Sequence, residues 1–267
     1  MKKTLLISTV LFFFLSTNNV MAQKNTTVFG QEIVYTGNDT VLLNGYVAFD
    51  KKLKGKRPAI IIVHEWWGSN AYVRKRAGML AKLGYIAIAV DMYGGGKQGN
   101  TPAEATALAT PFYKNPQLAK QRIEAAVNKI KTFAQTDTNN IAAIGYCFGG
   151  SMVLNAAKLG MGFKGVVSFH GGLAGVPAQA GVTKAKILVC HGGADKFISA
   201  EELKNFKSNL DAEKISYIFL TYANATHAFS NPNATENGKK FNLPIAYNEA
   251  ADKKSWIDMK AFLKTIF

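Results

Sequence analysis

Three side chains could together perform nucleophilic chemistry: Cys147, Asp195 and His227. Cys147 lies at the centre of Gly145-Tyr146-Cys147-Phe148-Gly149-Gly150, after the apolar run Ile141–Ile144 and before a helical pattern over Gly149–Leu159. A nucleophile between a strand and a helix sits on a strained turn, so the residues two places away must be small. Gly145 and Gly149 meet that demand. The helix N-terminus points N–H groups at the nucleophile and favours negative charge developing there. Asp195 follows the apolar run Ile187–Cys190, and His227 follows Tyr217–Leu220. Alone, these three would read as a buried cysteine, a turn aspartate and a surface histidine. Their order along the chain, each just past a strand, makes the set specific. In such a set His227 takes the thiol proton and later delivers it to the leaving group, while Asp195 fixes the imidazole tautomer and orientation.

A second cluster, His64-Glu65-Trp66-Trp67-Gly68, follows the apolar run Ala59–His64. A loop after the third strand is where a second oxyanion donor is expected. The backbone N–H groups of Trp66 and Phe148 are the candidates for an oxyanion hole. Trp67 reads equally as substrate wall or core filling. His170 and His191, each beside a strand end, read as wall or structural residues. No H-E-x-x-H and no paired-cysteine spacing is present, so neither a metal nor an organic cofactor is expected.

These residues need a frame that collects strand ends at one edge. Gln31–Thr36 and Val41–Phe49 read as a hairpin with its turn at Gly37-Asn38-Asp39. Ala59–His64, Tyr85–Val90, Ile141–Gly145, Gly165–Phe169, Ile187–Cys190 and Tyr217–Leu220 read as buried strands. Helical spacing marks Ala71–Leu83, Gln117–Phe133, Gly149–Leu159, Ala200–Leu210 and Tyr247–Ile266. Asp91–Pro116 reads as a loop with a short helix, and either it or Ser230–Pro244 is a candidate lid. Apolar strands alternating with helices predict a mostly parallel, twisted sheet with helices on both faces, and ligands at the carboxyl ends of its strands.

The N-terminus reads as an export signal. Lys2 and Lys3 precede the short apolar run Leu5–Leu15, and Val20-Met21-Ala22 offers a small-residue cleavage site. Residues 1–22 are thus expected to be a signal peptide and residues 23–267 a single domain. Export to the periplasm or beyond is expected, without a stable membrane anchor. The chain has 32 basic and 17 acidic residues, a net charge of +15. Its lysines are scattered and no nucleic-acid motif appears, so a solvated surface with weak attraction to anions is expected, not a nucleic-acid partner. The only cysteines are Cys147 and Cys190. With one strand between theirs, they would stand about 10 Å apart, too far for a disulfide. Cys190 therefore reads as core.

On these motifs, together with Asp91-Met92-Tyr93, Gly193-Ala194-Asp195 and His227-Ala228-Phe229, nearly the whole mature chain resembles the dienelactone hydrolase (carboxymethylenebutenolidase-like) family. The resemblance implies an α/β-hydrolase fold. It implies that Cys147, Asp195 and His227 form the triad and that Glu65 contacts the resting thiol. Trp67, Tyr93, His170 and Phe229 are the candidate pocket residues. Two arginines of the family, which bind a substrate carboxylate, are missing. Gly94-Gly95-Gly96 follows the Asp91–Tyr93 segment, and Asn231 stands four residues after His227. Lys97 and Lys196 are the nearby cations that could stand in as point charges.

The expected function is hydrolysis of a small-molecule ester or lactone through a cysteine acyl-enzyme. A thioesterase, or a deacylase of glycans or natural products, would use the same triad. A reading of a different class is a non-enzymatic exported binding protein on a hydrolase fold. The residues name neither the physiological substrate nor the oligomeric state.

Overall fold

The computed structural model describes residues 27–37 and 39–267. The expected signal peptide and Asn38 of the expected hairpin turn lie outside the described residues. Eight strands form one sheet in the order β1-β2-β4-β3-β5-β6-β7-β8. The hairpin β1 (Val28–Thr36) and β2 (Leu42–Asp50) is antiparallel, and β2 joins β4 (Ile86–Ala89) antiparallel. From β4 onward every pairing is parallel, through β3 (Arg57–Val63), β5 (Thr136–Tyr146), β6 (Gly165–Phe169), β7 (Lys186–Gly192) and β8 (Tyr217–Tyr222).

The central strands are apolar on both faces because both faces are covered. Ile60, Ile62, Ile144 and Val167 pack under α1 (Ala71–Lys82) and α7 (Glu249–Ile266). Ile61, Ala143 and Val166 pack on the other face with α3 (Pro116–Lys131), α4 (Phe148–Lys158) and α5 (Ala200–Ala212). Asn70, Asn115, Ser199 and Asn248 each cap a helix start by accepting a backbone N–H, which satisfies a donor the helix cannot.

Two elements depart from the sequence reading. β5 starts at Thr136, because Thr136 and Asp137 already pair with Arg57 and Pro58 of β3, and residues 138–140 bulge out where the register shifts before Ala59 meets Ile141. Hydrophobic periodicity cannot show a polar strand segment. The helix α6 (Ala234–Phe241) was read only as part of a candidate lid. Its core-facing residues are few, but Glu236 in its first turn and Lys239 and Lys240 in its last complement the helix dipole. That signal was available in the sequence. The remaining helix, α2 (Pro102–Lys114), is the short helix expected within Asp91–Pro116. Among the described residues, no helix is long and apolar enough to cross a membrane.

Cys147 and Cys190 are both free. β6 does lie between their strands, and Cys190 is fully buried beside Phe169.

Candidate active site

The turn after β5 holds Cys147 at φ 51°, ψ −116°, a conformation that L-residues rarely adopt. Close packing enforces it. A methyl group at Gly145 would stand 1.9 Å from the Gly149 carbonyl oxygen. One at Gly149 would stand 2.3 Å from that of Val63. The strand–turn–helix passage therefore needs glycine on both sides, as the motif implied.

His170 holds this turn from below. The Cys147 N–H is shared between the Phe169 carbonyl oxygen, at 3.0 Å, and His170 Nδ1, at 3.1 Å. An Nδ1 that accepts leaves the proton on Nε2, which donates to Ser230 Oγ at 2.7 Å. Burial, with His227 and Arg76 nearby, pushes the His170 pKa well below the ordinary histidine value, consistent with this neutral form. The chain of contacts continues outward. Arg76 donates to the Ser230 carbonyl oxygen at 2.7 Å and pairs with Asp252, so α1 and α7 are tied to the floor of the site.

The three candidate reacting groups converge. His227 Nε2 lies 3.0 Å from Cys147 Sγ, and His227 Nδ1 lies 2.8 Å from Asp195 Oδ2. Asp195 Oδ1 accepts the Phe197 N–H at 2.9 Å, which leaves the other oxygen for the imidazole. Burial opposes charge on His227, but the neighbouring Cys147 and Asp195 and the hydrogen bonds to both raise its pKa above the ordinary histidine value, which suits the imidazole to accept a proton.

The loop after β3 is fixed equally firmly. His64 donates through Nδ1 to the Glu65 carbonyl oxygen and accepts the Met92 N–H at Nε2. Burial drives its pKa down to about 4. Tyr93 donates its hydroxyl to the Trp66 carbonyl oxygen at 2.9 Å. Asp91 accepts the N–H groups of Asn44, Tyr93, Gly94 and Gly96. The Asp91-Met92-Tyr93 motif is thus an anchor for the neighbouring loop. The N–H groups of Trp66, beside the cavity, and of Phe148, next to Cys147, have no backbone acceptor among the described residues, which leaves both available as oxyanion donors.

Glu65 differs from what the resemblance implied. Its Oε2 accepts from Asn231 Nδ2 at 2.5 Å, its Oε1 has no donor, and it makes no hydrogen bond to Cys147. Asn231, at the position of a missing family arginine, is a short buried side chain that reaches the carboxylate directly. Burial pushes the Glu65 pKa up to about 7, against the opposing effects of Asn231, His227 and Arg76.

A cavity of about 380 Å³ opens above Cys147 and His227. Trp66 and Trp67 form one wall, and α2 closes it with Thr106, Ala109, Thr110 and Tyr113. Phe197, Ile198, Leu243 and Ile245 complete the apolar lining. Of the expected pocket residues, only Trp67 lines this space. Tyr93 is buried against the rings of His64 and Phe148 and serves the Trp66 loop. His170 is under the Cys147 turn. Phe229 is fully buried between His170 and Tyr222. All three are near the site in sequence motifs but point into the sheet side. Lys97 and Lys196 are exposed and do not line the cavity.

Sequence reasoning missed Tyr113, Leu243 and Ile245. Tyr113 sits on α2 with its ring edge-on to Phe148, 5.5 Å between centroids. Its side chain lies on the cavity side of α2, within electrostatic reach of Cys147 and close to Ser151. No motif marks it; only the fold of α2 over the strand ends brings it there. Both candidate lid segments border the cavity, the first through α2 and the second through Leu243. Among the described residues, no group of three or more His, Cys, Asp or Glu side chains could hold a metal ion.

The sheet order, the turn bearing Cys147 and the residues gathered above it define an α/β-hydrolase. Fold likeness extends to an esterase of Thermogutta terrifontis, with a TM-score of 0.59 at 18% identity over 89% of this chain and 94% of that one. The model of the dienelactone hydrolase family matches residues 43–267, and the chain belongs to that family. An Aquifex aeolicus protein named as a carboxymethylenebutenolidase is 26% identical over 207 residues, 76% of this chain and 87% of that protein. A dienelactone hydrolase-like promiscuous phosphotriesterase from metagenomic libraries superposes with a TM-score of 0.84 at 30% identity, covering 90% of this chain and 99% of that one. The reaction class is hydrolysis of an ester or lactone.

Proposed function

We propose that this protein hydrolyses a small-molecule ester or lactone through a covalent thioester on Cys147. The observation that carries the reading is the line of contacts Cys147 Sγ–His227–Asp195, at 3.0 and 2.8 Å, on the floor of the cavity. His227 takes the thiol proton. The sulfur attacks the carbonyl carbon, and the carbonyl oxygen becomes an oxyanion facing the N–H groups of Trp66 and Phe148. Collapse of this intermediate breaks the C–O bond, and His227 protonates the departing alkoxide. Water then gives a proton to His227 and attacks the thioester. The acid leaves, and the sulfur recovers the proton. Asp195 holds the imidazole in the tautomer that serves each step. No step calls for a cofactor. The Lys2–Ala22 segment supports a site of action outside the cytoplasm.

The test is intact-protein mass spectrometry during turnover of p-nitrophenyl acetate, with Cys147→Ala in parallel. An acetyl adduct on the wild type alone is expected. Turnover with no adduct, even under rapid quench, together with an active Cys147→Ala variant, would sink the cysteine mechanism. A second reading, triester phosphate hydrolysis by the same thiol, is favoured by the likeness to the metagenomic phosphotriesterase. Release of p-nitrophenol from paraoxon by the wild type but not by Cys147→Ala would support it.

A further inference from the structure

The cavity lacks the lysines and arginines that dominate the charge of the chain as a whole. The protein as a whole carries +15. The residues lining the cavity include two carboxylates, Glu65 and Glu202, and no lysine or arginine. The one group there that can become a cation, His227, already faces Asp195 and Cys147. Neither carboxylate can swing away freely. Glu202 Oε1 accepts the N–H groups of Leu173 and Ala174 at 2.6 and 2.9 Å, and Glu65 is held by Asn231. Glu65 Oε1 already lacks a donor. Apart from Thr106 and Thr110 on α2, the wall is mostly apolar or aromatic, with Trp66, Trp67, Tyr113, Phe197, Ile198 and Leu243.

A carboxylate brought into this space would lose water, find no lysine or arginine to pair with, and meet Glu202 and the buried Glu65. Burying an unpaired charge is among the costliest changes a binding site can impose. An uncharged acyl group of similar shape would instead bury apolar surface against the tryptophans and Phe197. We infer that the site, read as the ester hydrolase proposed above, takes uncharged substrates with apolar or aromatic acyl groups and rejects those bearing a carboxylate. The positive surface steers anions to the protein in general, but they do not enter this cavity.

The experiment compares p-nitrophenyl adipate as its free monocarboxylate and as its monomethyl ester, with Cys147→Ala as the control for background hydrolysis. Chain length and leaving group are the same in both. The methyl ester is expected to exceed the carboxylate in kcat/KM by on the order of 100-fold, the scale set by an uncompensated buried charge. Glu202→Gln, which keeps the acceptor for Leu173 and Ala174, is expected to raise kcat/KM for the carboxylate and to narrow the gap. Comparable turnover of both esters by a cysteine-acylated enzyme would overturn the inference and leave the hydrolase reading intact. Absence of turnover for both, with no acyl adduct on Cys147, would overturn the hydrolase reading and the inference with it.

Discussion

The floor of the cavity is backbone locked by buried side chains, whereas its roof is made of side chains carried on more exposed segments. On the floor, Cys147, His170, His64 and Tyr93 sit at strand ends, each hydrogen-bonded to main chain. His170 is 1% exposed and His64 is fully buried. On the roof, Tyr113 is 53% exposed and Phe197 50%, and α2 covers the strands from outside. The difference separates two tasks. Reaction geometry tolerates errors of only tenths of an ångström, so it rests on strands packed from both faces. Substrate shape is read by groups that can differ without disturbing that floor.

Replacing the reacting groups should break the floor most severely. Cys147→Ala or His227→Ala is expected to lower kcat by about 10⁴-fold or more, with the fold retained. Ester turnover alongside circular dichroism checks this. A variant that keeps a tenth of the activity would place the nucleophile elsewhere.

Glu65, at the border of floor and roof, should show itself through pH. Its folded pKa is raised from 4.5 to about 7. The folded state therefore holds the proton longer than the unfolded chain. The associated stability is full below pH 4.5 and is lost as pH rises through 7. Glu65→Gln removes this dependence, so its stability relative to wild type should improve by about 3 kcal/mol between pH 4 and pH 8. Denaturant unfolding of both proteins at the two pH values measures it. A constant difference would mean that Glu65 has the same pKa in the folded and unfolded states.

His170 tests whether the floor acts through geometry alone. His170→Ala frees the Cys147 N–H from one of its two acceptors and leaves Ser230 Oγ without its imidazole donor. A loss of about 100-fold in kcat with KM little changed is expected, comparable to misplacing one oxyanion donor. A change confined to KM would instead put His170 in contact with substrate.

Roof substitutions should be the mildest. Tyr113→Phe and Trp67→Ala are expected to change kcat/KM by about tenfold or less, with size and sign depending on the acyl group. Profiling a series of p-nitrophenyl esters would show it. Uniform losses of about 100-fold across the series would erase the distinction between floor and roof.

Much of the floor was legible in the sequence. The Gly145–Gly150 motif named the turn, and the order of Cys147, Asp195 and His227 named the residues that the structure brings within 3.0 Å. These are local signals, set by what a tight turn tolerates and by where apolar strands end. The same locality misled at Tyr93, His170 and Phe229. A motif places a residue near a site but does not say which way its side chain points. One position along a strand end turns a side chain from cavity to core.

By itself, then, the sequence determined the sheet, the strand ends and the three candidate reacting residues, because hydrophobic runs, glycine spacing and chain order are properties of neighbouring residues. Only the tertiary structure decided what closes the cavity and what charge it presents. Tyr113 on α2, Phe197 and Glu202 between β7 and the first turn of α5, and Leu243 after α6 come from three separate segments and meet only once those segments have packed. Asn231 and Glu65, 166 residues apart, likewise find each other only across the folded site. No local pattern encodes such meetings, because they depend on the relative placement of elements whose own sequences are indifferent to one another.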